Sequence, residues 1–284
     1  MYCQHCSIPR SKGGGTAHKH IALSFTRALF RYASMEQIHK KPHPTYLFSL
    51  KVQRRSGWSL YPSRSSLRRH KTAWKWYRCA IPCLFLAPQA RWPRQLQQAV
   101  IVLRYAIETL GKRPSDIVLQ GDSAGAHLAL ALLSHLAHPH PQGIVVRFSV
   151  DEPLRGAMLL FPWVDFGINH ASSSGNADRD IVSAQTLNSW ARIFLGQTVE
   201  DYPSGLVGRD LPVSRIFVGA GEDEVLLDPI QEMAEKMKVE LPDVSISIVP
   251  REFHVEPITD FALKLPPGLQ FKAMTLWLNQ TFSE

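Results

Sequence analysis

The apolar positions of this chain change period several times after residue 93. Leu96, Ala99, Val100, Leu103, Ala106, Ile107 and Leu110 recur at spacings of three and four, the stripe of an amphipathic helix. Pro93 suits the first turn of that helix and Gly111 its end. Ile117-Val118-Leu119-Gln120 is a short, nearly continuous apolar run and reads as a buried strand. Residues 126–136 are apolar on most sides, which predicts a helix packed on most sides. Pro139 and Pro141 break the chain. The alternation then continues with strands over 157–161, 216–218 and 244–249. Between and after them lie helices over 186–195, 228–239 and 271–282, while the Ser-rich stretch 167–180 reads as a loop. Strands separated by helices predict an α/β fold: a mainly parallel sheet with helices on both faces.

The front of the chain does not follow this order. Residues 18–30 read as a helix, and residues 33–80 mix Pro, Ser, Arg, Lys and scattered aromatics without period 2 or 3.6. Three regions follow: 1–32, a glycine loop and helix; 33–80, a basic irregular insertion; and 81–284, the core, with a small cap segment at about 167–210. The 33–80 segment carries 11 Lys/Arg against one acid, Glu36. It offers no periodic apolar face to offset the entropy of ordering it, so it is expected to be poorly ordered and to add little to the core. On that reading the N-terminal strands are missing and the sheet keeps an exposed edge.

Composition narrows the function classes. The net charge of +8 is uneven: residues 1–80 hold 16 Lys/Arg and one acid, and residues 81–284 hold 16 Lys/Arg and 23 Asp/Glu. Basic residues beside Trp74, Trp76 and Tyr77 are compatible with nucleic-acid contact, but no binding module accompanies them, so nucleic acid is not the expected partner. No apolar run is long enough to span a membrane, and Met1 to Arg10 lacks the apolar core of a signal peptide. The expected location is cytoplasmic, with organellar targeting by the acid-poor front as the alternative. Cys3 and Cys6 form a Cys-x-x-Cys beside His5, but Cys79 and Cys83 do not complete a zinc spacing, so no metal is expected.

The chemistry concentrates in Gly121-Asp122-Ser123-Ala124-Gly125, placed between a predicted strand and a predicted helix. A serine on so sharp a turn projects its hydroxyl beyond the sheet, and the positions two residues away must be glycine to avoid collision. Such a serine needs a histidine to take its proton and a carboxylate to orient that histidine, each on a loop after a later strand. Strand 216–218 leads into Glu222-Asp223-Glu224, and strand 244–249 leads into Pro250-Arg251-Glu252-Phe253-His254. His254 is therefore the predicted base, while His127 and His135, on the nucleophile helix, read as packing or surface groups.

These motifs resemble the hormone-sensitive-lipase-like branch of the α/β-hydrolase esterases over residues 84–284. The branch's elbow is matched by the pentad around Ser123, and its Tyr-x-Leu-Ala-Pro-Glu segment is similar to Leu84 through Gln89, followed by Trp92-Pro93. Phe161-Pro162-Trp163-Val164-Asp165 is similar to the stretch after its next strand. The branch's acid opens Asp-Pro-Leu-x-Asp, and Glu224-Val225-Leu226-Leu227-Asp228 fits that frame, which implies Glu224 as the acid with Asp223 as its rival. The branch draws oxyanion donors from His-Gly-Gly-Gly; here Lys12-Gly13-Gly14-Gly15 stands in, implying Gly13 and Gly14 N–H groups beside that of Ala124. Only 11 residues precede Lys12, so the front resembles a truncated or disrupted version of the branch.

The resemblance implies a serine hydrolase that cleaves a small-molecule carboxylic ester through an acyl-enzyme, with no cofactor or metal. The alternative is a degenerate, non-catalytic protein or small-molecule binder of the same fold. Trp163, Trp190 and Phe194 are candidate pocket walls. Oligomeric state and the substrate's acyl and alcohol groups are left open by the sequence.

Overall fold

A computed structural model of the chain describes residues 20–25, 77–80, 84–140, 143–196 and 210–283. Among these residues the sheet has six strands: β1 (His20–Phe25), β2 (Tyr77–Ala80), β3 (Ile117–Asp122), β4 (Gly156–Leu160), β5 (Ile216–Gly221) and β6 (Val244–Val249). Their order is β2-β1-β3-β4-β5-β6, and every pairing is parallel. The α-helices among the described residues are seven: α1 (Arg94–Arg104), α2 (Ala124–Ala137), α3 (Ala171–Gly175), α4 (Ala184–Leu195), α5 (Leu227–Glu240), α6 (Glu256–Leu263) and α7 (Leu269–Ser283).

Alternation along the central strands assigns side chains to two cores. Ile117 and Leu119 of β3, Ala157 and Leu159 of β4, and Ile216 and Val218 of β5 share one cluster with α1, α2 and α5. The intervening Val118, Met158, Leu160 and Phe217 join Met274, Trp277 and Leu278 of α7 on the opposite face. Strands β3, β4 and β5 are buried along their whole length, as expected of parallel strands covered on both sides. The strand at the β6 edge is only partly buried until Val249.

The elements expected from residue 93 onward are present, with ends shifted by one or a few residues. Two corrections fall in the front. A helix was expected over 18–30, but His20–Phe25 is a strand, paired with β3 from Ile21↔Ile117 to Phe25↔Gly121. The last four residues of the 33–80 segment, Tyr77–Ala80, form a strand beside β1. The outer edge of β3 is therefore covered, rather than exposed as the sequence reading implied. A short apolar run does not announce its period; the vacant hydrogen-bonding edge of β3 decides it here. The rest of 33–80 lies outside the described residues. A third difference concerns 171–175, expected as loop, which is the helix α3.

Two buried or terminal polar groups tie the segment ahead of α1 to the body. Gln95, fully buried, donates its amide to the carbonyls of Phe85 and Ala90 at 3.1 and 2.8 Å. The Trp92 N–H donates to Phe194 O at the end of α4, at 3.0 Å. Among the described residues no helix is long and apolar enough to cross a membrane.

Candidate active site

The C-terminal ends of β3, β5 and β6 bring three polar side chains together. Ser123 follows β3 with φ 56° and ψ −120°, a left-handed, strained conformation for a residue with a side chain. The turn survives because its flanks carry almost nothing. A Cβ on Gly121 would lie 2.3 Å from the carbonyl carbon and oxygen of Gly125, well inside contact distance. Ala124 then opens α2, and its N–H, like those of any first helical turn, has no acceptor within the helix. The Ser123 N–H is committed elsewhere, donating to Leu160 O at 2.9 Å.

Ser123 Oγ lies 2.9 Å from His254 Nε2. The other ring nitrogen of that histidine, Nδ1, lies 2.6 Å from Glu224 Oε1. The second oxygen of Glu224 accepts the N–H of Gly221 at 2.8 Å. Glu224 is completely buried and His254 nearly so, while Ser123 stays partly exposed. Phe161, itself at φ 49°, sets its ring edge-on to the imidazole with centroids 5.9 Å apart.

Burial pushes the Glu224 carboxyl up from its ordinary value. The hydrogen bond and charge of His254 and the Gly221 N–H oppose that rise, while the charge of Asp180 adds to it. With Glu224 ionised, only one tautomer satisfies the set: Nδ1–H donates to the carboxylate and bare Nε2 faces the serine hydroxyl. A base, an oriented imidazole and a hydroxyl on a strained turn are together able to generate a nucleophilic oxygen.

The other sequence candidates lie elsewhere. Asp223 turns away from His254 and receives Arg179 Nη1 at 2.6 Å. His127 is buried against Trp92, Phe166 and Phe194, with Nδ1 3.1 Å from Trp163 O; burial lowers its pKa to about 4. His135 is also buried, with Nε2 3.0 Å from Val146 O. Trp163 and Phe194 belong to the main core, and Trp190 packs partly buried against it.

Gly13 and Gly14 lie outside the described residues. The strand that follows them, β1, starts level with the beginning of β3 and reaches the level of Gly121 only at Phe25.

One group was not found from sequence. Asp180, in the stretch read as a plain loop, accepts the backbone N–H groups of both Val225 and His254, at 2.8 and 3.1 Å. Nothing in the residue pattern around it marks such a role. Among the described residues no set of three or more His, Cys, Asp or Glu side chains is placed to hold a metal ion.

Residues 78–257 match the family model described as the alpha/beta hydrolase fold. An acetyl-hydrolase of Streptomyces hygroscopicus is 27% identical over 172 residues, covering 59% of this chain and 54% of that protein. An esterase of Acinetobacter venetianus is 28% identical over 175 residues, covering 57% of this chain and 50% of that protein. The chain thus spans about half the length of these two curated relatives. Among solved structures, an esterase from the bacterial hormone-sensitive lipase family superposes with a TM-score of 0.60 at 27% identity, over 72% of this chain and 64% of that one. A hormone-sensitive lipase from a metagenome library superposes at 0.58 with 22% identity, over 72% and 65% of the two chains, a likeness of fold alone.

Proposed function

We propose that this chain, which belongs to the α/β-hydrolase fold family, hydrolyses a carboxylic ester of a small molecule through an acyl-enzyme formed on Ser123. The observation that carries the reading is the continuous line from Ser123 Oγ through His254 to Glu224, at 2.9 and 2.6 Å. The names of the relatives, an acetyl-hydrolase and an esterase, support the same class of reaction.

Ser123 Oγ attacks the ester carbonyl as His254 Nε2 takes its proton. The imidazolium that forms is held by Glu224, whose second oxygen is fixed by the Gly221 N–H and so cannot swing away. The tetrahedral oxyanion gains the Ala124 N–H at the start of α2, where the helix dipole also favours negative charge. Gly13 and Gly14 are the sequence candidates for the remaining donors. His254 then returns its proton to the departing alcohol, leaving an acyl group on Ser123. Water, deprotonated by the same imidazole, attacks that acyl group; the bond to Ser123 Oγ breaks, His254 returns the proton to Oγ, and the acid is released. The scheme uses no metal and no organic cofactor.

The test is turnover of short-chain p-nitrophenyl esters by the purified full chain. The expected result is saturable hydrolysis, lowered by about three orders of magnitude or more in Ser123→Ala, with the fold retained by circular dichroism. Hydrolysis that survives that substitution overturns the assignment of Ser123. Ester binding without any turnover in the unsubstituted chain favours instead a non-catalytic binder of this fold.

A further inference from the structure

We propose that Asp180 is a positioning residue for the His254–Glu224 pair, bridging the two loops that carry these groups and adding a fixed negative charge beside them. The inference rests on the serine-hydrolase reading above and deepens it.

Asp180 belongs to neither loop. It lies between α3 and α4, far in sequence from both. Its Oδ2 accepts the N–H of Val225, the peptide group that directly follows Glu224, at 2.8 Å. Its Oδ1 accepts the N–H of His254 itself at 3.1 Å, and that of Ile181 at 2.7 Å. One carboxylate thus spans the acid and the base. Backbone hydrogen bonds already join the roots of the two loops: Glu222 N–H to Val249 O and Asp223 N–H to Glu252 O, both at 2.9 Å. Asp180 acts further along, at the residues that carry the chemistry.

The bridge has a firm abutment. Asn176 donates its side-chain amide to Glu222 O at 2.9 Å and Glu224 O at 2.7 Å. Arg179 pairs with Asp223. Ser172 donates its hydroxyl to Val225 O at 3.0 Å, and it exchanges hydrogen bonds with Asp228 through both partners' backbone N–H groups, at 2.8 and 3.1 Å. Residues 172–180 are therefore fastened along the acid loop, and Asp180 projects from a seat that is itself held. Such a support matters because a displacement of about 1 Å in a reacting group costs on the order of a hundredfold in rate.

The charge acts as well as the geometry. Asp180 acts on the charge of Glu224 and holds the backbone N–H of His254, while its neighbour in sequence, Arg179, is paired with Asp223. The Asp180 carboxylate repels that of Glu224 and adds to the rise in that group's pKa. Removing this charge weakens the hold of Glu224 on a proton.

The experiment measures kcat and KM against pH for the wild type, Asp180→Asn, Asp180→Ala and Ser172→Ala, with folding followed by circular dichroism and melting. A fluorophosphonate label located by mass spectrometry reports Ser123 independently. Asp180→Asn keeps the shape and one acceptor oxygen but no charge. It should retain the fold, lose about tenfold to a hundredfold in kcat with KM within about twofold, and move the acid limb of kcat/KM to lower pH. Asp180→Ala should lose more in kcat than Asp180→Asn. Ser172→Ala loosens the same segment without removing a charge, so its melting temperature should fall while its acid limb stays with the wild type. An Asp180→Asn acid limb that coincides with the wild type, or a loss confined to KM, overturns the proposal. Loss of the fold in both Asp180 variants overturns it too, because the role is then structural. Labelling of Ser123 in the wild type keeps these outcomes separate from failure of the underlying reading. A wild type that neither turns over ester nor labels at Ser123 refutes that reading, and this inference with it.

Discussion

Glu224 illustrates how side-chain length and burial act together at a single position. Its carboxylate reaches His254 with one oxygen and the Gly221 N–H with the other, at 2.6 and 2.8 Å, from a position with no solvent exposure. An aspartate at this position would be one methylene shorter and unable to make both contacts without moving the backbone. A glutamine would fit, but its amide would present N–H groups where the imidazole needs an acceptor, trapping the wrong tautomer. Glu224→Gln is therefore expected to lower kcat by about four orders of magnitude while the chain stays folded. Asp223→Asn should cost less than about tenfold, since Asp223 serves Arg179 at an exposed pair of modest worth. Steady-state kinetics on the two variants checks both statements, and a larger loss in Asp223→Asn than in Glu224→Gln would reverse the assignment. Sequence alone left the choice open because adjacent acids on one loop differ only in direction, which the loop's path decides.

The elements differ in how far they could be read in advance. Helices α1, α2, α4, α5 and α7 and strands β3 to β6 announce themselves through long apolar periods or short buried runs bounded by Gly and Pro. Strand β1 does not, because its six residues gain their hydrogen bonds only from strands distant in sequence. Helix α6, between the histidine loop and Pro266-Pro267, was not anticipated either; Glu256 caps the Phe253 N–H at its start, a contact no period reveals. That the Ser123, Glu224 and His254 side chains meet was legible because a strand-turn-helix junction and the ends of later strands leave few places for such a trio. The place of Asp180 was not, since it is set by two backbone N–H groups on other loops. The elbow itself yields a prediction at this scale. Gly121→Ala places a methyl 2.3 Å from the Gly125 carbonyl, a backbone collision that no side-chain rotation relieves. It should destabilise the protein by roughly 3 kcal/mol or more and remove activity together with the fold, as seen in urea melts. A well-folded Gly121→Ala chain would show that the elbow is looser than its geometry implies.

For the molecule as a whole, buried ionisable groups away from the reacting atoms set how stability responds to pH, and they pull in opposite directions. His127 is held mainly neutral in the native state, with burial lowering its pKa from 6.5 to about 4. Between those values the unfolded chain binds more protons at this residue, so its contribution makes stability rise with pH and is lost as pH falls. Glu252 does the reverse. Only 6% exposed, it receives the Gln270 N–H near the start of α7, and burial raises its pKa from 4.5 to about 7. The native state then holds the extra proton, so this contribution is complete below 4.5 and is lost as pH rises towards 7. Glu256 and Asp260, both raised by burial, pull the same way as Glu252. Over the shared window of 4.5 to 6.5 the histidine and carboxyl slopes oppose each other. Glu252→Gln keeps an acceptor for Gln270 and discards the titration, so its stability should climb more steeply with pH across that window than the wild type's. His127→Asn should tilt the profile the other way. Urea midpoints taken at several pH values read the slopes directly. If the Glu252→Gln profile ran parallel to the wild type, Glu252 would titrate alike in the folded and unfolded chains, and its burial would not be governing the response.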